Sequence, residues 1–204
     1  NDRSKRCSNR EEKMKRFTQQ EQAVYTKYAN DYIRTVNKWC QDNIYPKFNL
    51  AHINLDWSPS RSCSRGGMYA DGPGINIAMY RACKNDTGDI QRVYEYKSFD
   101  LDPLIGGVYT RTKFHNLELT LLHEIAHALQ YYSYRVNGFR CKPHGTVWKN
   151  FYRRLREEFL NPQLEDQVEL KAEYDKIKEQ IETGKFKLIT DDSLARLFGR
   201  AASN

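Results

Sequence analysis

The sequence contains no CxxC pair. Its five cysteines, Cys7, Cys40, Cys63, Cys83 and Cys141, are odd in number and widely scattered. That argues against a cysteine zinc ribbon and a disulfide framework, and for an intracellular, reducing compartment, either cytoplasmic or nuclear and nucleoid-associated. Also missing are an apolar run near the ~20 residues that cross a bilayer and a secretory h-region. The chain therefore reads as soluble. Acids are absent from the whole stretch between Ile125 and Arg156, where Arg135, Arg140, Lys142, Lys149, Arg153, Arg154 and Arg156 all fall.

What is present bounds the answer further. With 204 residues, the chain fits one domain with appendages and is long enough to bury a core. Its formal charge of +7 favours an anionic partner, although surplus lysine also serves plain solubility. The charge is unevenly placed. Residues 1–16 form a basic stretch almost without large apolar side chains, which predicts a flexible arm. From Glu157 to Glu182 the sign reverses, with nine acids against three lysines.

Periodicity supplies the elements. Residues 17–44 carry Val24, Tyr28, Tyr32 and Val36 at helical spacing. The segment AHINLDW alternates, and RGGMYADGPGINIAMY reads as two short strands joined at DGPG. Residues 84–113 have no clear period and read as an irregular insertion. A helix capped by Asn116 follows from Leu117 to about Tyr132, and a second shows Val147, Phe151, Leu155 and Phe159 at every fourth position. The predicted fold class is α+β, a small antiparallel or mixed sheet packed on helices. Its predicted units are the arm 1–16, a domain over 17–162 and an acidic helical C-terminal segment over 163–204.

Within the first of those helices the run LLHEIAHALQ places two histidines and a glutamate among apolar residues. Burying three polar side chains without partners costs several kcal/mol, so an apolar helix holding them needs a reason. His123 and His127 differ by about 40° in azimuth and about 6 Å in rise, so their rings converge on one point. That is what a tetrahedral zinc asks of two imidazoles, and Glu124 stands beside the point without having to bind. The bland alternative is two hydrogen-bonded core histidines and a surface glutamate.

Two ligands do not make a catalytic site. The extended pattern HExxHxxGxxH fails, because Gln130 and Ser133 occupy the glycine and histidine positions. Downstream only His144 remains among the histidines, between Pro143 and Gly145 at the mouth of the second helix. Glu157 or Glu158 on that helix is the competing third ligand. Cys141, with CxxH spacing to His144, would close the shell and make the site structural. An open site is preferred because a closed one has no use for Glu124.

TLLHEIAHAL followed by PHGTVWKNFYRRL resembles the SprT-like metallopeptidases, the Spartan-type family, and RGGMYADGPGINIAMY is similar to the paired strands before their active-site helix. The resemblance covers roughly residues 20–160. It implies a zincin-like domain in which His123, His127 and His144 bind zinc and Glu124 is the general base. The cofactor implied is Zn2+ and the activity endopeptidase hydrolysis of protein substrates. Two departures stand out. There is no cysteine ribbon, its place being taken by an acidic helix with Leu170, Tyr174, Ile177 and Ile181, and residues 84–113 are inserted.

Further expectations concern the substrate. Tyr131, Tyr134 and His115 are the candidate oxyanion donors, and the sheet edge at Gly74–Ala78 is the expected docking strand for an extended peptide. Tyr131, Tyr132, Tyr134, Phe139 and Trp148, interleaved with bases in 125–156, suit contact with single-stranded DNA, which makes DNA-associated proteins candidate substrates. The rival class is a nucleic-acid or protein binding module with a structural zinc.

Overall fold

The computed structural model describes residues 17–83, 90–93, 95–111, 114–138 and 142–183. The arm 1–16, Cys7, Phe139, Arg140, Cys141 and the chain beyond residue 183 lie outside the described residues.

Helix α1 (Gln19–Asn43) begins at a capping box: Thr18 Oγ1 accepts from the Glu21 N–H, and the Glu21 carboxylate accepts from the Thr18 N–H at 2.8 Å. Its buried stripe is Tyr25, Ala29, Ile33, Val36 and Cys40; Val36 is where it was expected, while Tyr25, Ala29 and Ile33 stand one position on from the expected Val24, Tyr28 and Tyr32. Val24 is 54% exposed. Both sets recur every three to four residues, and the smaller one packs closest. Tyr28 and Tyr32 flank the stripe, where the Tyr28 hydroxyl can reach the Glu118 carboxylate.

Strands β1 (His52–Asp56), β2 (Arg65–Tyr69) and β3 (Gly72–Ala78) form a mixed sheet in the order β1-β3-β2. β3 runs antiparallel to β2 across a tight turn at Ala70 and Asp71, and parallel to β1 with His52 opposite Gly74. The expected docking edge at Gly74–Ala78 is therefore the central strand, its ladder taken on both sides. Among the described residues β2 and β1 are the edges. β3 is buried along nearly its whole length, as a strand paired on both sides and covered by a helix must be.

After a short helix α2 (Met79–Cys83) comes the segment that sequence alone leaves formless. It contains a two-stranded antiparallel ladder, β4 (Gln91–Val93) with β5 (Val108–Thr110), and a 3-10 turn at Lys97–Phe99. Helix α3 (His115–Asn137) then starts two residues earlier than expected, at His115. Asn116 does not cap it. The Asn116 amide is drawn instead to the Ala82 carbonyl at the end of α2. α3 ends at Gly138, whose φ of 76° is the left-handed conformation that closes helices.

Helix α4 (Thr146–Phe159) buries Trp148, Tyr152, Leu155 and Arg156; of the expected stripe Val147, Phe151, Leu155 and Phe159, Leu155 is fully buried, Phe151 and Phe159 pack on the core half-buried, and Val147 lies on the flank. Counting only aliphatic and phenyl side chains misses a face built from Trp, Tyr and an arginine. Arg156 is fully enclosed because the Gly106 carbonyl, at 3.1 Å, and the Asn161 side chain, at 2.9 Å, accept from its guanidinium. Helix α5 (Gln167–Glu182) leans on β5. The Gln167 amide accepts from and donates to the Tyr109 backbone, and Leu170 is buried beneath it. Ile75 and Ile77 of β3, Leu121, Ile125 and Leu129 of α3 and Ile33 and Val36 of α1 share one core. No described helix is long and apolar enough to cross a membrane.

Candidate metal centre

The sheet presses on α3 through β2. A Cβ on Gly66 would sit 1.9 Å from the Glu124 carbonyl oxygen, so only glycine permits the contact. This seats β2 directly over the H-E-I-A-H turn. On that turn His123 and His127 point the same way, and His144 reaches them from the loop before α4. The His127 and His144 Nε2 atoms are 2.8 Å apart, and those of His144 and His123 are 3.1 Å apart. Among the described residues, these three are the group able to hold a metal ion.

The contacts of the opposite ring nitrogens decide what the three Nε2 atoms are for. The Glu95 carboxylate lies 3.2 and 3.3 Å from His123 Nδ1. Gln130 Oε1 lies 3.4 Å from His127 Nδ1, while the Gln130 Nε2 donates to the Lys142 carbonyl at 2.7 Å. A carbonyl can only accept, which fixes the Gln130 amide with its oxygen toward His127. Both Nδ1 atoms therefore face acceptors and carry the protons. That leaves Nε2 lone pairs on His123 and His127, both turned toward His144. One His144 N–H could satisfy only one of them, whereas a cation between the three rings could take both. Four-coordinate zinc with bonds of ~2.0–2.1 Å needs nitrogens roughly 3.3 Å apart, slightly more than the spacing observed. The donor set fits zinc.

Electrostatics agree. Burial, with the neighbouring His123 and His144 rings, pushes His127 down to about 3, and burial and His123 lower His144. Both shifts favour the neutral ring, the form that a metal ligand needs. His144 is held at φ 55°, a left-handed conformation that is uncommon outside glycine and costly. The turn from Lys142 to Gly145, closed by a 2.9 Å backbone hydrogen bond and tied to α3 through Gln130, keeps it there. Trp148 forms the floor. It is fully buried, with its ring centroid 4.7 Å from both His123 and His144, and its Nε1 donates to the His123 carbonyl.

Glu124 is 8% exposed. Burial raises its carboxyl above the usual carboxylate range and Glu95 adds to this, against lowering by His123 and the Gly66 N–H. It opens on a cavity of about 530 Å³ whose lining includes Arg81, Glu95, Tyr96, Asn116, Thr120 and His123. The Tyr96 ring stands on its wall, 4.6 Å from the His144 ring and 5.9 Å from that of His123. A larger, shallower depression of about 660 Å³ between α1 and Trp57 has no histidine and no carboxylate cluster.

Of the residues singled out in the sequence, His123, Glu124, His127 and His144 come together. The alternative third ligands Glu157 and Glu158 are exposed in the last turn of α4, roughly 16 Å along the helix from its start. His115, named as an oxyanion donor, is buried at the start of α3 with its Nδ1 against Thr110 Oγ1 at 2.7 Å. Tyr131 and Tyr134 are exposed on the later turns of α3. The acid-free stretch 125–156 is not one surface, since Trp148 and Arg156 are buried and Arg153 is paired with Asp102. Sequence reasoning missed Glu95, Tyr96, Gln130 and Tyr152. Only Gln130 carried a signal, three residues after the second histidine of HExxH on the same helix.

Together the sheet, the helices and the triad define a mixed α+β domain with a histidine site able to hold a metal ion, compatible with a metallopeptidase-type enzyme. The chain matches the SprT-like family over residues 29–173, well over half its length, and belongs to that family. The match runs across the 84–113 segment and into the first half of α5. No curated protein and no solved structure matches the chain.

Proposed function

We propose that the protein is a zinc-dependent endopeptidase of zincin-like fold, acting on protein substrates. The observation that carries this is the convergence of three imidazole Nε2 atoms, two of them backed by acceptors, with Glu124 opening on the same cavity. His123, His127 and His144 would hold the ion. When bound, zinc supplies a Lewis acid that polarises the scissile carbonyl and makes water a better nucleophile at neutral pH.

The chain's own residues do the rest. Glu124 takes the proton from the attacking water and delivers it to the leaving amine. Tyr96, whose ring lies beside His144, replaces the earlier candidates as the hydrogen-bond donor to the developing oxyanion. β2, the edge strand above Glu124, takes the substrate backbone, while Arg81, Asn116 and Thr120 meet the side chains that enter the cavity.

The test is Glu124→Gln, assayed for casein hydrolysis and metal content together. The expected outcome is a drop of about 10²–10⁴-fold in rate with zinc retained. A wild type that is inert, and whose zinc shows four protein ligands by X-ray absorption, would make the site structural and the protein a binding module.

A further inference from the structure

Glu95 comes from the segment that looked like an insertion, yet its side chain is 4% exposed and faces a histidine of the triad. Its Oε2 lies 3.2 Å and its Oε1 3.3 Å from His123 Nδ1. The carboxylate is itself held: the Tyr152 hydroxyl donates to Oε1 at 2.6 Å. Tyr152 is fully buried on α4, and the Arg156 guanidinium reaches its oxygen at 3.4 Å while also donating to the Gly106 carbonyl. A continuous run of contacts therefore leads from the Gly106 backbone through Arg156, Tyr152 and Glu95 to one ring.

We infer that Glu95 is a positioning residue for the metal centre, with Tyr152 as its anchor. Accepting the Nδ1 proton, Glu95 fixes His123 in the tautomer whose Nε2 lone pair faces the other two rings and locks the ring's rotation. A carboxylate also leaves more electron density on the imidazole than a neutral acceptor does. The triad is thus asymmetric: His123 has a charged acceptor, His127 only the neutral Gln130 oxygen at 3.4 Å. This rests on the triad holding a metal and adds that the irregular segment 90–111 sets its affinity.

The experiment is a zinc titration against a chromophoric chelator with wild type, Glu95→Gln and Tyr152→Phe, alongside the melting temperatures of the metal-free proteins. Glu95→Gln is expected to weaken zinc binding about 10–100-fold, and Tyr152→Phe to weaken it less, in the same direction. In the zinc-loaded wild type, imidazole nitrogen NMR should show a slowly exchanging His123 Nδ1 proton that Glu95→Gln exposes to exchange. A purely structural role would lower the melting temperature and leave that signal alone. Zinc affinity of Glu95→Gln within twofold of wild type, with the Nδ1 proton unchanged, overturns the inference while leaving the metal site standing. A wild type with no measurable zinc affinity overturns both. Should Glu95→Gln fail to fold, Tyr152→Phe leaves the carboxylate in place, and an unchanged affinity there counts against the proposal.

Discussion

Helix α3 and the segment 90–111 line the same cavity, but they are held by different means. α3 is a regular backbone ladder, buried on nearly every side of its central turns, that places His123, Glu124 and His127 by periodicity alone. The segment has few ladder bonds and is fastened by side chains at one point after another. Glu95 meets His123 and Tyr152, Phe99 stacks on Trp148, Asp102 pairs with Arg153, and the Gly106 carbonyl accepts from Arg156. Almost all of these partners lie on α4. What looked like an irregular insertion is a wall fastened to α4, and it delivers Glu95 and Tyr96 to the centre.

The largest expected effect sharpens that contrast at the ion. His127→Ala removes a proposed ligand that α3 supplies directly. If the total for a zinc site is ~10–16 kcal/mol, a third of it is about 4 kcal/mol, so zinc affinity should fall roughly a thousandfold. The loss expected for Glu95→Gln is one to two orders of magnitude smaller. Chelator competition on both variants measures the ratio. Equal losses would erase the distinction between a helix that binds and a segment that aims.

A second test asks whether the segment is as firmly packed as the helix. Phe99 is buried, stacked on Trp148 at 5.6 Å, with Lys149 Nζ 4.8 Å from its ring centre. Phe99→Ala should cost about 3 kcal/mol of unfolding free energy, comparable with Leu121→Ala in the core of α3. Urea denaturation of the metal-free proteins compares them. A cost under about 1 kcal/mol for Phe99→Ala would show a segment that only rests on α4.

The same difference explains what the sequence revealed. His123, Glu124 and His127 were legible because helical spacing puts them on one face, and His144 because so few histidines compete with it. Glu95 was not, since it stands 28 residues from His123 in a stretch without period, and a single carboxylate there resembles any solvated one. Strand order was hidden for a related reason. That β1 pairs with β3 rather than β2 is a long-range choice, although GPGINIA, apolar and small without alternation, carries the mark of a strand enclosed on both sides. On α4 the buried face was misjudged because Tyr152 and Arg156 are buried for their hydrogen bonds, which apolar counting ignores. The acidic segment was legible as a helix, while its attachment through Gln167 to the Tyr109 backbone was not.

The smallest expected effect concerns a clamp that touches none of the three histidines. Asp102 Oδ2 accepts from Arg153 Nη2 at 2.5 Å and Nε at 3.1 Å, with both side chains partly exposed. Burial alone would raise its carboxyl, but the Arg153 hydrogen bond and the Leu104 N–H outweigh it and hold it below the usual carboxylate range. A lowered native value means that the folded state favours the ionised form. The stabilisation is therefore present above the unfolded value of ~3.9 and is lost as pH falls through the native one. Asp102→Asn keeps an oxygen for the Leu104 N–H and removes the charge, so it should cost at most about 1 kcal/mol at pH 7. Urea midpoints of variant and wild type should differ by a constant amount down to about pH 5 and converge in stronger acid. A gap that persisted in acid would mean the turn itself, not the ion pair, had been broken, and the segment would then depend on its backbone just as α3 does.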